Sequence, residues 1–354
     1  EKEVLSKTYS YMRQKMEEAR VSMASEPGKV RVINKAEISK NPISPKVSKS
    51  LLMAFFAGVF LGLGISISIE YFDNTLRSIE YVERLNLPIL AIIPSIGTEN
   101  LSSKRKKKSN LNSIIRNGPQ TVGDLQRRMV THEDPKSSIS EAYRSLRTSL
   151  MYTKKGEKGS IMVSSPGPGE GKTTTIINLA ITYANLGKNT LLIDCDLRKP
   201  VLHKVFNGSN VKGLTHYLSG VEKNWENVVQ STDIPNLKIV YNGAIPPNPS
   251  ELLGSELMED LVVELKKSYD VILFDSPPIM AVTDAVVLSR LIDQFIIVVR
   301  FGRTEKDSIP HTLKAISHVD SKPTGVVFND LNQKNSYYSN SYYSYQQYYY
   351  TSEL

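Results

Sequence analysis

The sequence predicts an α/β protein in which a mostly parallel sheet is covered by helices on both faces. Two observations predict this fold class. Short apolar segments alternate with helical patterns over residues 137–330. These segments are almost free of polar residues, as is typical of parallel strands buried on both sides. We predict strands at 160–164, 190–194, 237–241, 270–274, 295–300 and 324–329.

The composition is that of a folded, basic chain. Its 354 residues are enough for about two domains, and a composition of 40% hydrophobic and 23% charged residues allows most of the chain to bury a core. One cysteine excludes an internal disulfide, and five scattered histidines lack the spacing of a zinc site. The net charge of +8 favours an acidic partner, namely phosphate, nucleic acid or an anionic membrane. Since the chain begins at Glu1 and not at a methionine, we expect it to be a piece of a longer protein.

Residues 51–69 form an uncharged apolar stretch, LLMAFFAGVFLGLGISISI. As a helix it would be about 28 Å long, close to the thickness of the hydrocarbon core of a bilayer. Its glycines at 58, 62 and 64 suit helix contacts in a membrane better than a soluble helix. The alternative is a helix buried in a protein core. We predict a transmembrane helix at 51–69, preceded over residues 1–50 by an extracytoplasmic helix and a proline-containing segment.

Two polar segments flank the predicted sheet. Residues 70–136 are predicted to be a juxtamembrane segment and a basic linker, and residues 331–354 a polar tail. The linker contains the basic cluster 104–108, KRKKK, which would lie on anionic lipid headgroups. A nucleic-acid-binding cluster is the weaker alternative beside a membrane span, so we expect lipids and no nucleic acid as partners.

A glycine-rich loop joins the first predicted strand to a helix. Its sequence over residues 164–174 is SSPGPGEGKTT. Glycines allow backbone N–H groups to point at phosphate oxygens, and the helix adds its positive end. We predict that the nucleotide is bound by Gly167, Gly169, Glu170, Gly171, Lys172, Thr173 and Thr174. Lys172 would reach the β- and γ-phosphates, and Thr173 would bind Mg²⁺.

The loop departs from the pattern G-x-x-x-x-G-K-[ST] at its first position, where the chain has Pro166. Gly167 and Gly169 are then the residues expected to supply the turn. The alternative interpretation is a strand–helix turn that binds nothing. The order of strand, glycine-rich loop and helix argues against that alternative.

Carboxylates and an amide stand at the ends of three predicted strands. Because the carboxyl ends of parallel strands meet at one edge, we expect these residues near the loop. Asp194, Asp196 and Asp275, together with Thr173, are the predicted Mg²⁺ ligands. Either Asp194 or Asp196 would also act in catalysis, with Lys172, by accepting a proton from an incoming hydroxyl. Asn329 is predicted to contact the nucleotide base, with a strand-closing turn as an equal alternative.

The nucleotide site decides the predicted orientation of the span. Four lysines closely precede the span and two arginines closely follow it, which favours the N-terminal side inside. ATP is a cytoplasmic substrate, however, so we predict the opposite orientation, with residues 137–330 in the cytoplasm.

The three nucleotide motifs, at 169–173, 191–196 and 271–275, resemble those of the bacterial protein-tyrosine kinases. This family has a P-loop NTPase fold that is unrelated to the eukaryotic kinase fold. The triplet Glu141-x-x-Arg144-x-x-Arg147 resembles the subunit-contact motif of the family. The apolar span and the segment before it are similar to the end of a polysaccharide chain-length-determinant domain of the Wzz type.

The tyrosine-rich tail resembles the autophosphorylation cluster of the same family. The implied phosphate acceptors are Tyr337, Tyr338, Tyr342, Tyr343, Tyr345, Tyr348, Tyr349 and Tyr350. A sticky low-complexity segment is the alternative interpretation of this composition. Eight phosphates would add about −12 to −16 charges, so we expect a phosphorylated tail to leave the acidic site.

The resemblance implies an ATP- and Mg²⁺-dependent tyrosine autokinase in the bacterial inner membrane. It implies that a ring-shaped homo-oligomer phosphorylates tails in trans and so regulates capsular or exopolysaccharide polymerisation, chain length and export. The implied partners are lipids, the polymerisation and export machinery and a cognate tyrosine phosphatase. Two other functions stay open: a membrane ATPase of the MinD/ParA type, and a polysaccharide co-polymerase scaffold without catalysis. ATPases of that type usually carry a lysine at the position of Gly167, which counts against the first.

Overall fold

The computed structural model of the chain describes residues 2–25, 46–95, 129–153 and 158–331. The chain divides into two compact units, Glu1–Phe72 and Asp73–Leu354. Three predicted features lie outside the described residues: most of the proline-containing segment, the basic cluster at 104–108 and the tyrosine-rich tail.

Two helices are described in the first unit. Helix α1 is Lys2–Ser25 and helix α2 is Val47–Phe72. Within the part of α2 from Ser48 to Phe72, the most apolar stretch of 18 residues has a mean hydropathy of 2.2, and none of that stretch is buried within the protein. A Cβ atom added at any of its three glycines would meet no atom of the described residues within 4 Å, apart from the backbone of its own helix. The predicted apolar helix is therefore confirmed, and by length and composition it can cross a membrane.

The second unit contains an eight-stranded sheet with helices around it. Its strands are β1 Ile89–Pro94, β2 Gly159–Ser164, β3 Thr190–Asp194, β4 Val229–Ser231, β5 Leu237–Val240, β6 Val271–Asp275, β7 Gln294–Arg300 and β8 Gly325–Leu331. Its helices are α3 Ile79–Arg84, α4 Val130–Glu133, α5 Ser138–Thr153, α6 Lys172–Asn185, α7 Leu202–Val205, α8 Leu214–Leu218, α9 Pro249–Leu253, α10 Glu256–Ser268, α11 Asp284–Ser289 and α12 Ser308–Ser317, with a 3-10 turn at Trp225–Val228.

The strand order is β1-β8-β7-β2-β6-β3-β5-β4. Neighbouring strands pair in parallel except β4, which is antiparallel to β5. Successive residues pack on opposite faces: Leu191 belongs to one hydrophobic cluster and Leu192 to the other. This confirms the predicted mostly parallel α/β fold. In the register of β3 and β6, Asp194 lies opposite Asp275, so both carboxylates reach the same edge.

The structure differs from the predicted organisation at β1 and β4. The sequence places residues 89–93 in a segment outside the predicted domain at 137–330, yet β1 pairs with β8 and Ile93 is completely buried. The apolar run between two prolines is thus a strand of the same sheet. The sequence does not predict strand β4, because this strand has only three residues, VQS, which are partly polar and incompletely buried.

Candidate functional site

The glycine-rich loop follows β2 and ends at the first residue of α6. Gly169 and Gly171 have φ angles of +77° and +100°, in the region that favours glycine. A Cβ atom on Gly171 would lie 1.9 Å from the side-chain amide of Asn329. Both the backbone conformation and the close approach of Asn329 therefore require glycine at position 171.

The carboxyl group of Glu170 lies inside the loop. It accepts hydrogen bonds from the backbone N–H of Gly167, at 2.9 Å, and from the hydroxyl of Thr304, at 2.5 Å. Burial raises the pKa of this carboxyl group, although these hydrogen bonds oppose the shift. The side chain braces the loop, so the predicted nucleotide contact of Glu170 would have to come from its backbone.

The amide of Asn329 also contacts the loop. Its Nδ2 atom donates to the carbonyl oxygen of Glu170 at 2.9 Å. Asn329 thereby fixes the turn in which phosphate would be bound, and it lines the adjoining cavity as well. Asn329 has features of both alternatives that the sequence leaves open. It lies near the end of a strand, and it also lines the cavity that a nucleotide could enter.

Lys172 points towards the predicted acidic residues. Its Nζ atom forms an ion pair of 3.1 Å with Asp196, and both side chains are largely buried. Burial on its own lowers the pKa of Lys172, but the nearby charges of Asp275, Asp196 and Asp194 outweigh this effect and the net pKa is raised. Lys172 is therefore held in its charged form, close to the carboxylates.

Thr173, Asp275 and Asp194 lie together at the ends of α6, β6 and β3. The Thr173 hydroxyl donates to Asp275 at 2.8 Å. Asp194 is completely buried and accepts the backbone N–H groups of Asp196 and Leu202. Burial, and then the like charges of Asp275 and Asp196, raise the pKa of Asp194 well above its usual range. A cation stabilises the charged form of such carboxyl groups, and Lys172 supplies one positive charge beside them.

Two of the four predicted Mg²⁺ ligands, Thr173 and Asp275, are of the kind that suits a metal arriving together with a nucleotide. Among the described residues, no group of three or more His, Cys, Asp or Glu side chains forms a preassembled metal site. Mg²⁺ typically uses only one or two carboxylates and completes its shell with phosphates and waters. The hydroxyl of Thr173 and the carboxylate of Asp275 match that pattern.

A cavity of 570 Å³ adjoins the loop. Small-molecule sites typically measure about 300–1,000 Å³. Its lining residues are Pro94, Gly169, Gly171, Lys172, Thr173, Thr174, Arg300, Arg303, Asn329 and Asp330. Of these, the sequence analysis missed Pro94, Arg300, Arg303 and Asp330. Arg300 is the last residue of β7 and Asp330 the last but one of β8, so their position at the carboxyl edge of the sheet is the signal that points to them.

A second group that the sequence does not predict joins the loop after β3 to the helices α9 and α11. The guanidinium of Arg198 donates to both carboxylate oxygens of Asp284, at 2.8 and 3.0 Å, and Ser250 donates to the same group at 2.5 Å. Asp284 is completely buried. Burial would raise its pKa, but the bonds from Arg198 and Ser250 outweigh burial and lower it. This group fixes the loop that carries Asp196.

The predicted subunit-contact triplet lies on one stripe of α5, as its spacing predicts. Glu141 forms an ion pair with Arg144, which also donates to the carbonyl oxygen of Pro135 at 2.6 Å. Arg147 donates to the carbonyl oxygen of Thr182, at 2.7 Å, within its own chain. Partial burial lowers the pKa of Arg147. All three side chains remain partly exposed.

Two family models match the chain. Residues 159–326 match an AAA domain, a range that includes the phosphate loop and all three aspartates. Residues 1–68 match the GNVR family, a G-rich domain of tyrosine kinases. The second match covers α1 and almost all of α2, which agrees with membrane anchoring of the first unit.

Relatives and a solved structure agree with these matches. The chain is 40% identical to tyrosine-protein kinase YwqD of Bacillus subtilis, over 58% of the chain and 86% of YwqD. It is 29% identical to tyrosine-protein kinase ptk of Acinetobacter johnsonii over 96% of the chain, which spans only 44% of that relative. The kinase domain of the Escherichia coli tyrosine kinase ETK is 27% identical with a TM-score of 0.63, covering 74% of this chain and 97% of that domain.

Proposed function

The chain belongs to the family of bacterial tyrosine-protein kinases, and from this premise we propose that it is a membrane-anchored, ATP-dependent tyrosine autokinase. The observation that carries the proposal is the convergence of Lys172 and three aspartates beside a glycine-rich loop. Lys172 lies 3.1 Å from Asp196, and Thr173 lies 2.8 Å from Asp275. All of them lie at the carboxyl edge of the sheet, next to a cavity of nucleotide size.

The residues of the loop would hold the triphosphate. Lys172 and the backbone N–H groups that follow Gly169 and Gly171 would stabilise its negative charge. Thr173 and Asp275 would hold Mg²⁺, with Asp194 beside them in the register of β3 and β6. When bound, Mg²⁺ would neutralise charge on the phosphates during transfer.

We assign the proton acceptor for the tyrosine hydroxyl to Asp196. The carboxylate of Asp194 is completely enclosed and already accepts two backbone N–H groups. Asp196 keeps some exposure, and among the described residues one of its oxygens is bonded to Lys172 alone. If Lys172 turns to a phosphate, that oxygen becomes available to a phenol.

The proposed acceptors are the eight tail tyrosines between positions 337 and 350. Strand β8 ends at Leu331, one residue after Asp330, which lines the cavity. The chain therefore continues towards its tail from the edge of the sheet that holds the site. We propose transfer to the tail of a neighbouring subunit. In that arrangement the tail of a subunit does not have to fold back into the site of the same subunit.

We further propose a ring-shaped oligomer in the bacterial inner membrane, with the second unit in the cytoplasm. The exposed parts of Glu141 and Arg144 would contact the adjacent subunit, with Arg147 orienting the helix through Thr182. Cycles of phosphorylation would regulate the polymerisation, chain length and export of a polysaccharide. The partners would be the export machinery, membrane lipids and a cognate tyrosine phosphatase.

A mixing experiment tests transfer between subunits. The donor is the chain with all eight tail tyrosines changed to phenylalanine, and the acceptor is the Lys172→Met chain with its tail intact. Both are purified in detergent, mixed with radiolabelled ATP and Mg²⁺, and separated by a size tag. We expect label on the acceptor only when the donor is present, and mass spectrometry should place it on the tail.

Other outcomes identify the two alternative functions. A wild-type chain that hydrolyses ATP without forming phosphotyrosine, whether or not residues 332–354 are present, would be an ATPase of the MinD/ParA type. A chain that binds ATP, performs neither reaction and supports export after Asp275→Asn would be a scaffold. If phosphotyrosine forms in the wild-type chain but never on the acceptor, the chain is still a kinase, and only the proposed transfer between subunits is contradicted.

A further inference from the structure

Two arginines line the cavity, Arg300 at the end of β7 and Arg303 in the loop that follows, and their guanidinium groups differ in what they contact. Arg300 is fully engaged. Its Nε and Nη2 atoms lie 2.7 and 2.5 Å from a carboxylate oxygen of Asp330, and its Nη1 atom donates to the carbonyl oxygen of Gly169 at 3.2 Å. Arg300 therefore joins β7, β8 and the phosphate loop, and its charge is neutralised by Asp330.

The guanidinium of Arg303 is not engaged in this way. It is exposed, it lines the same cavity, and it forms no ion pair or hydrogen bond within the part of the chain that the structure describes. Its Nη2 atom lies 3.2 Å from the position that a Cβ atom on Gly169 would occupy. The group thus lies against the phosphate loop, where burial raises the pKa of Glu170 and the charge of Arg303 helps to oppose that rise. Its N–H donors are not used by hydrogen bonds within the described part of the chain.

The backbone that carries Arg303 is fixed on both sides. Gly302 donates to the carbonyl oxygen of Leu76 at 2.8 Å, and the carbonyl oxygen of Thr304 accepts from Leu76 at 2.7 Å. The side chain of Thr304 is bonded to Glu170 in the phosphate loop. The backbone of Arg303 is therefore held at a fixed distance from the phosphate loop, while its guanidinium group can move to contact a ligand.

We propose that Arg303 binds the terminal phosphates of the nucleotide, an inference that rests on the proposed function. Lys172 is paired with Asp196, and Arg300 with Asp330, so Arg303 is the cation of the cavity lining whose charge no described carboxylate neutralises through an ion pair. A guanidinium presents a planar set of donors that matches two phosphate oxygens. Its neighbour Gly169 belongs to the turn that would receive those phosphates.

Binding measurements on the full-length chain in detergent test this role. Titration calorimetry at constant ionic strength compares ATP, AMP and inorganic tripolyphosphate, each with Mg²⁺. We expect Arg303→Gln to weaken ATP and tripolyphosphate by the same factor, about tenfold, as is typical for the loss of a charge-assisted hydrogen bond. AMP affinity should not change. Arg303→Lys should recover part of the loss, since it keeps the charge without the planar fork.

The control is Arg290→Gln, which removes an exposed arginine outside the cavity lining. ATP affinity equal to wild type in Arg303→Gln would overturn the inference. A loss for ATP and AMP without a loss for tripolyphosphate would also overturn it, because the contact would then be to the base or ribose. With either of these two results, the proposed function still stands if the wild-type chain binds ATP and forms phosphotyrosine. A wild-type chain that binds neither ATP nor tripolyphosphate would overturn both.

Discussion

Thr304 donates a hydrogen bond of 2.5 Å to the buried carboxyl group of Glu170, and this bond joins the loop after β7 to the phosphate loop. The same Thr304 hydroxyl accepts the backbone N–H of Arg300 at 2.8 Å. Glu170 in turn holds Gly167, at the start of the glycine-rich turn. One hydroxyl therefore fixes the conformation of a loop that would bind phosphate.

Replacing this hydroxyl should weaken both folding and nucleotide binding. Thr304→Val removes a donor to Glu170 and an acceptor for Arg300, and a buried polar group left without its partner costs about 1–3 kcal/mol. We expect that loss in urea unfolding, together with weaker ATP binding by calorimetry. Thr304→Ser keeps the hydroxyl and is the matched control. A valine variant with wild-type stability and affinity would contradict this role.

The charge of Asp194 should reduce stability, with a defined pH dependence. Its pKa in the folded protein is raised by burial and by neighbouring carboxylates. Below the ordinary pKa of aspartate, about 4, both states are protonated and the side chain makes no difference. Above it, the unfolded state ionises more readily, so the folded state loses relative stability as the pH rises. Asp194→Asn should therefore be more stable than wild type at neutral pH, with a smaller difference in acid.

Urea unfolding at about pH 4.5, close to the ordinary aspartate pKa, and at about pH 7.5, far above it, would measure how this difference grows with pH. Catalytic activity should fall in the same variant, because Asp194 is a predicted Mg²⁺ ligand. A residue that lowers stability but is needed for activity is common at functional sites. A loss of stability at the higher pH would indicate that the carboxylate is needed by its backbone donors and not merely tolerated.

The sequence predicted those parts of the molecule that depend on neighbouring residues. The strand before the loop, the order of loop and helix, and Asp194 with Asp275 at strand ends all follow from local patterns. It did not predict that Glu170 reaches Thr304, because these residues are 134 positions apart. Arg303 lies in no motif, and only the folded position of its loop brings it to the cavity.

The ion pair of Arg198 and Asp284 should stabilise the loop that carries Asp196. Arg198→Ala leaves a buried carboxylate with the Ser250 donor alone, which we expect to cost about 2 kcal/mol, less than for a fully buried pair because Arg198 is partly exposed. The pKa of Asp284 is lowered in the folded state, so this contribution is present above the ordinary aspartate pKa and is lost as the pH falls.

A double-mutant cycle with Asp284→Ala would isolate the coupling between the two side chains. Arg198→Lys is the conservative control, since it retains a charge but lacks the two-pronged contact. Additive effects of the two alanine substitutions would rule out a stabilising pair.

Helix α2 should anchor the chain in a bilayer. The chain should float with lipid vesicles in a density gradient, whereas a chain that begins at Asp73 should remain at the bottom. Two arginines in the centre, Phe60→Arg with Leu61→Arg, should prevent insertion, because each costs about 2.5–3.5 kcal/mol at the middle of a membrane helix. The control exchanges the two residues, Phe60→Leu with Leu61→Phe, and so keeps both positions apolar. Flotation of the chain that begins at Asp73 would assign membrane binding to the second unit.

Strand β1 should be necessary for a stable second unit. Ile93 is completely buried and β1 pairs with β8 along its length, so a chain that begins at residue 137 would expose the edge of β8. We expect it to unfold at lower urea concentration, or to aggregate, compared with a chain that begins at Asp73.

Point substitutions refine this test without removing the strand. Ile93→Ala should cost about 2–4 kcal/mol, and Ile92→Ala, whose side chain is only partly buried, should cost less. Because Pro94 lines the cavity, the same Ile93 variant should also bind ATP more weakly. If chains beginning at 73 and at 137 had the same unfolding midpoint and ATP affinity, β1 would be an accessory strand. In that case the other strands of the sheet would form the nucleotide site without it.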